Sequence, residues 1–287
     1  MSPFPGKERE ESGAEGKHED VRRIRFGFCR ECSTLIILKS SSELKVMREA
    51  NRIIAVILAE IGDRINPGVS TFELDQWAEQ RLDSLNAKPA FKGYRSGGRV
   101  FPASLCVAIN DEVVHGIPSR DRILQEGDII GIDVGSIYNG YHGDGAYTYS
   151  VGEISDEAEA LMDCCKEALN VGIAQAKRGN RVSDISIAID RFVSPKGYGI
   201  VRDLTGHGIG RSLHEDPQIL NYDDGRKGQK LKENMTLAIE PMINNGSYQV
   251  RTLSDKWTVV TADGSLSAHY EHTVAITANG PEILTRL

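Results

Sequence analysis

The sequence predicts an α+β fold assembled from two similar α/β halves. One helical stripe, a glycine break, a second helix and a run of short strands occur early, and the same plan recurs later. The phrase Pro67-Gly68-Val69-Ser70-Thr71-Phe72-Glu73-Leu74-Asp75 shares its rhythm with Arg178-Gly179-Asn180-Arg181-Val182-Ser183-Asp184-Ile185-Ser186, a shift of 111 residues. Between the two lies Asn139-Gly140 flanked by strand-like runs, the strongest short hairpin signal. Together these point to a duplicated unit about a pseudo-twofold axis, not to two independent domains.

Taken in chain order, residues 1–20 are rich in Glu, Gly and Lys, cannot offset the entropy of ordering, and are expected to be disordered. Residues 21–40 are more apolar and are expected to lie against the body. Ser42-Glu43-Leu44 opens a helix whose Leu44, Met47, Ala50, Ile53, Ile54, Ile57, Leu58 and Ile61 recur at spacings of three and four, a core-facing stripe. Asn66-Pro67-Gly68 ends it, and Ser70-Thr71-Phe72-Glu73 reads as a capping box starting a helix to about Leu85. A loop with Gly93, Gly97 and Gly98 precedes strands at Leu105–Ile109, Asp128–Ile137 and Tyr141–Val151, with Ile123–Gln125 leading towards one. Ser155 begins a helix through Ile173, Val182–Phe192 forms another, and Leu266–Thr277 reads as a strand.

Composition excludes several functions. A net charge of −7 and a pI near 5.6 argue against a nucleic-acid binder that relies on a basic face. No apolar run reaches membrane-spanning length, and the N-terminus lacks the apolar segment of a secretory signal. The five cysteines, Cys29, Cys32, Cys106, Cys164 and Cys165, make no disulfide framework and point to a reducing cytoplasm. Cys29-Arg30-Glu31-Cys32 is half of a zinc site at most; without a second pair it reads as incidental.

Chemistry concentrates in short polar and glycine-rich phrases. These are Gly131-Ile132-Asp133-Val134-Gly135, His142-Gly143-Asp144-Gly145, Gly206-His207-Gly208-Ile209-Gly210, Ile239-Glu240-Pro241 and His269-Tyr270-Glu271-His272. One imidazole and four carboxylates suit hard or borderline divalent cations and are wrong for a structural cysteine-type zinc site. The hairpin supplies a geometric check. A two-residue turn at Asn139-Gly140 sets Asp133 opposite Ala146, so Asp144 shares its face. Two like charges so placed repel unless a cation lies between them, or unless both are solvated on an exposed edge. Glu240 sits among apolar neighbours, where an unpaired carboxylate is costly. His269, two residues before Glu271, reads as a surface or outer polar residue.

With Val113-Val114-His115-Gly116-Ile117-Pro118 upstream and the run from Trp257 to Glu271, the order and spacing of these phrases resemble type I methionine aminopeptidase of the pita-bread metallopeptidase family. The resemblance runs from about Ser40 to Leu287, making residues 1–40 an N-terminal extension and 41–287 one catalytic domain. It implies a curved antiparallel sheet with outer helices and metals in the concave face. It also implies two divalent ions per chain (Co, Mn, Fe(II) or Zn) that activate a bridging hydroxide against the first peptide bond. By position, Asp133 would bind one metal, Asp144 and Glu271 would bridge both, and His207 and Glu240 would complete the other. Glu240 would also act as general base. His115 would contact the scissile amide and His214 the oxyanion or peptide carbonyl.

The resemblance further implies a methionine pocket from Tyr94, Phe101, Cys106 and Trp257; Leu213 fits it or ordinary core packing equally well. The segment between Tyr94 and Phe101 is longer than in the short bacterial pattern, and Leu213 replaces a bulkier aromatic. The expected substrates are N-termini of nascent polypeptides with a small second residue. Ribosome proximity is carried by the family alone, a monomer is expected, and the cytoplasmic location is the one the cysteines point to. The competing readings are a proline-specific pita-bread peptidase, whose extra N-terminal domain this tail is too short to supply, and a non-catalytic binding protein, which would have lost its ligands.

Overall fold

The computed structural model describes residues 35–287. The expectations for residues 1–34, including disorder at 1–20 and the Cys29/Cys32 pair, lie outside the described residues. Four helices pack on a sheet of nine antiparallel strands. Helix α1 spans Ser41–Ile61, α2 Thr71–Ser84, α3 Asp156–Ile173 and α4 Val182–Val193.

Helix α1 starts one residue earlier than the sequence suggests, because Ser40 is its cap. The Ser40 hydroxyl accepts from the Glu43 amide, and the Glu43 carboxylate accepts from the Ser40 amide. The expected box at Ser70 and Glu73 closes in the same way on α2. Each box satisfies amide donors that a helix start leaves without partners. The stripe of α1 is buried as expected, but it also carries Asn51, fully buried, whose side-chain oxygen accepts from the Asp144 amide at 3.2 Å.

Each half has its own apolar core. One groups α1 and α2 residues such as Ile54, Ile57, Leu74 and Leu82 with Ile130 and Ile132. The other groups α3 and α4 residues such as Leu161, Cys165, Ile185 and Ile189 with Leu237 and Val274. Along the sheet the order is Lys88–Pro89, Ile129–Tyr138, Tyr141–Ser150, Glu271–Thr277, Thr236–Ile239, Gly206–Gly208 and Glu215–Ile219. Leu105–Ile109 joins Ile129–Tyr138 from the side, and Gly280–Ile283 joins Glu271–Thr277.

The hairpin has the register its turn predicts. Tyr138 faces Tyr141 and Asp133 faces Ala146, with Asn139 and Gly140 at φ of 48° and 79°, the left-handed pair of a tight turn. Helix α1 lies so close to this hairpin that a Cβ on Gly143 would sit 2.6 Å from the Ala50 carbonyl oxygen. The glycine beside Asp144 therefore lets the helix approach the strand that carries that carboxylate.

Two readings need correction and a third needs sharpening. The run Leu266–Thr277 is two strands, Ser267–His269 and Glu271–Thr277, in different sheets. Its partner breaks at the same level: Ile239 faces His272, Pro241 interrupts the backbone donors, and Met242 then faces His269 in a three-stranded sheet. Ile123–Gln125 is not itself a strand: Ile123 makes an isolated bridge to Ser70, and the strand ahead begins at Ile129. The glycine-rich segment before Phe101 is not a plain loop. Arg95–Ser96 and Arg99–Val100 pair about Gly97 and Gly98, both at positive φ.

Replacing Gly143 with Ala is expected to cost about 1–3 kcal/mol, the usual range for overpacking, because backbone and not a flexible side chain must yield. Denaturant unfolding measures this, and a wild-type midpoint would contradict the packing argument.

Candidate active site

The five predicted ligand residues converge on the floor of one cleft. Asp133 comes from Ile129–Tyr138, Asp144 from Tyr141–Ser150 and His207 from Gly206–Gly208. Glu240 and Glu271 both come from the level at which two strands change sheets, where the register sets them opposite each other, and both line the same cavity. One ligand atom each from Asp144, His207 and Glu271 lies within 4.8 Å of the others. His207 Nε2 is 3.4 Å from Glu240 Oε1 and 3.7 Å from Asp144 Oδ2.

The tautomer of His207 follows from its other nitrogen. Nδ1 lies 2.9 Å from the Gly208 carbonyl oxygen and so donates to it, which leaves the Nε2 lone pair facing the carboxylates.

Electrostatics make this arrangement costly without a cation. Burial pushes the Asp133 carboxyl up to about 8. Burial and the neighbouring carboxylates push Asp144, Glu240 and Glu271 well above the carboxylate range. Burial holds the His207 imidazole down to about 4. Asp133 Oδ1, Asp144 Oδ1 and Glu271 Oε1 are buried with no hydrogen-bond donor among the described residues. Four crowded carboxyls, acceptor atoms left over, and an imidazole with its lone pair inward fit divalent cations with oxygen and single-nitrogen ligands.

The cleft holds about 530 Å³ of empty space, its open mouth included. Every residue predicted for the substrate lines it: Tyr94, Phe101, Cys106, His115, His214 and Trp257. Leu213 is buried, lines the cleft and packs in the apolar cluster with Phe101, Cys106 and Trp257. Phe101 and Trp257 meet edge to face at 5.2 Å. Burial and the nearby carboxylates push the Cys106 thiol well up, keeping it a neutral, apolar wall. His214 stands at the mouth, its ring 4.4 Å from that of His207, and its Nδ1 shares a 2.9 Å hydrogen bond with the Tyr94 hydroxyl. His115 has a left-handed backbone, φ 61°, and burial lowers its imidazole to about 4.

Several site residues carry no motif. His269 is buried, not on the surface, with Nε2 3.8 Å from Glu240 Oε2. Its spacing from Glu271 was the available signal. Asn51 holds the Asp144 backbone, the Asn221 side chain donates to the Glu240 carbonyl at 3.0 Å, and Asp75 accepts from the Ser104 and Leu105 amides beside Cys106. Phe91 lines the cleft with nothing in its sequence context to mark it.

A fold of two α/β halves around a carboxylate-rich concave site is the pita-bread architecture, and its chemistry is that of a metallopeptidase. Residues 45–278 match the model of metallopeptidase family M24, and the chain belongs to that family. A methionine aminopeptidase of Clostridium acetobutylicum is 53% identical over 251 residues, covering 88% of this chain and 99% of the relative. The crystal structure of a methionine aminopeptidase from Thermotoga maritima matches with a TM-score of 0.85 at 43% identity, covering 88% of this chain and all of that one. A Xaa-Pro dipeptidase from Bacillus anthracis matches less well, with a TM-score of 0.70 at 25% identity, and this chain spans 62% of it. No helix among the described residues is long and apolar enough to cross a membrane.

The carboxyl cluster predicts a distinctive pH response in chelator-treated protein. The folded Asp133 value of about 8 lies above its ordinary 3.8, so between these the folded state holds more protons and stability falls as pH rises. The buried imidazoles, lowered from 6.5, act oppositely, adding stability as pH rises to that value. From pH 6.5 to 8 only the carboxyl effect remains, so the denaturant midpoint is expected to fall across that interval. A midpoint that rises there would contradict the crowding argument.

Proposed function

We propose that this chain is a metal-dependent aminopeptidase that removes the N-terminal methionine of nascent polypeptides and peptides whose second residue is small. The observation that carries the reading is the five-donor cluster closing one end of a cleft walled by Phe101, Cys106 and Trp257. Asp133, Asp144, His207, Glu240 and Glu271 would hold the metal, two ions per chain by the resemblance, of a kind that metal availability decides. Bound there, divalent cations lower the pKa of a ligated water and polarise a carbonyl oxygen.

The chain's own groups supply the rest. Edge-on aromatic rings and a neutral thiol suit the polarisable thioether of methionine. The cleft ends at carboxylates, which favour a free amine over a blocked one. Glu240 keeps its carboxyl partly open to the cleft and takes the proton of the attacking water as general base. In the tautomer with its proton on Nε2, neutral His214 would accept from the Tyr94 hydroxyl at Nδ1 and donate to the peptide oxygen as charge develops. His115, also neutral, contacts the amide nitrogen of the same bond. A reducing compartment fits the free thiols of Cys106, Cys164 and Cys165. Ribosome proximity follows from the resemblance, and a monomeric state is expected.

Metal-stripped protein re-supplied with Mn, Co, Fe(II) or Zn is expected to release methionine from Met-Ala-Ser but not from Met-Lys-Ser or acetyl-Met-Ala-Ser. Cleavage of Ala-Pro-Ser instead would move the chain to the proline-specific branch. Glu240→Ala and Asp144→Asn are expected to lower kcat by about 10²–10⁴-fold with an unchanged circular dichroism spectrum. Wild-type turnover in either variant would remove that residue from the mechanism.

A further inference from the structure

Lys39 lies just ahead of α1 and is almost wholly buried. Its Nζ is 2.6 Å from Glu215 Oε2, in the most deeply buried Lys or Arg pair with a carboxylate among the described residues. The Lys39 amide donates to the Asn234 carbonyl at 2.9 Å, and Nζ also donates to the Ile37 carbonyl at 3.2 Å, so the lysine is fixed at both ends. Glu215 follows His214 directly. Its other oxygen accepts from the Ser212 amide at 3.2 Å, and its backbone pairs with Gly208, next to His207.

The pair therefore closes the base of the 209–214 loop that connects the two site histidines. Other side chains also hold this loop. Arg211 reaches Glu43 at 3.4 Å and lies over the Tyr141 ring. The Thr236 hydroxyl donates to the Ile209 carbonyl, His142 Nδ1 lies 3.3 Å from the Gly210 carbonyl oxygen, and the Tyr94 hydroxyl meets His214 Nδ1. Lys39 and Glu215 are the ion pair at its base. Gly210 completes the arrangement. A Cβ there would meet Glu215 Oε1 and Lys39 Cε at 2.6 Å each, so this glycine leaves room for an ion pair beneath the loop.

We propose that Lys39 is a positioning residue for His214, acting through the buried Glu215 carboxylate and the 209–214 loop to hold the imidazole at the cleft mouth. This rests on the reading of His214 as a substrate contact. A buried carboxylate that loses its cation must find water or another donor, and the route to water moves the backbone that His214 shares. The tail residue thereby belongs to the active site although it touches neither substrate nor ligand residues.

Two readouts test this. In metal-free protein with carbon-13-labelled histidine, the His214 signal, identified by its loss in His214→Ala, is expected to shift or broaden in Lys39→Met and to stay in place in Lys39→Arg. On Met-Ala-Ser, Lys39→Met is expected to lower kcat by up to about 10²-fold, the scale for a misplaced catalytic group, with little change in KM. Added to His214→Ala, the same substitution is expected to have no further effect, since both act through one group. Should Lys39→Met fail to fold, Lys39→Met with Glu215→Gln leaves no buried charge and carries the same tests. An unmoved His214 signal, or losses that multiply in the double variant, would overturn the proposal. Wild-type protein that releases no methionine would overturn the functional reading instead, while the His214 signal still decides the role of Lys39.

Discussion

Mutual repulsion among Asp133, Asp144, Glu240 and Glu271 is the constraint around which the rest of this molecule is arranged. No fold gathers four buried carboxyls for stability, since each loses water and gains like-charged neighbours. The apolar cores of the two halves supply the burial that offsets this cost, and each half delivers ligands to the midline. The hairpin of the first half brings two aspartates, and the strands of the second bring the imidazole and two glutamates. A divalent cation held among them would turn this cost into a stabilising interaction and would couple metal binding to folding.

Strand register is where the site is made. A regular antiparallel ladder sets directly opposite residues on one face; with Ile239 facing His272, Glu240 comes opposite Glu271, and Ala146 and Asp133 continue the same cross-strand row. The shared break at Pro241 and Tyr270, just beyond both carboxylates, lets the two strands leave the large sheet together with their register unchanged. Close backbone contact at Gly143 seats α1 and its Asn51 against the strand of Asp144.

What was legible in the sequence was local or periodic. The turn at Asn139-Gly140 determined the register that pairs Asp133 with Ala146, and both serine capping boxes formed where their spacing placed them. The break inside Leu266–Thr277 was not legible, because it depends on a proline in a partner strand about thirty residues earlier. The hairpin at Arg95–Val100 read as a loop since its strands are two residues each, too short for any alternation to show. His269 was marked only by its spacing from Glu271; Asn51, Asp75 and Lys39 are single polar residues buried by tertiary contacts, and nothing in their neighbourhoods separates them from solvated ones.

The most direct test of the account is a titration of metal-stripped protein with Co(II), following visible absorption and methionine release from Met-Ala-Ser in the same sample. The account predicts that release begins only as the carboxylate-rich site fills, and that Glu271→Gln weakens both signals together. Release at full rate in the presence of chelator, or a filled site with no release, would contradict the claim that these five side chains exist to hold a catalytic cation.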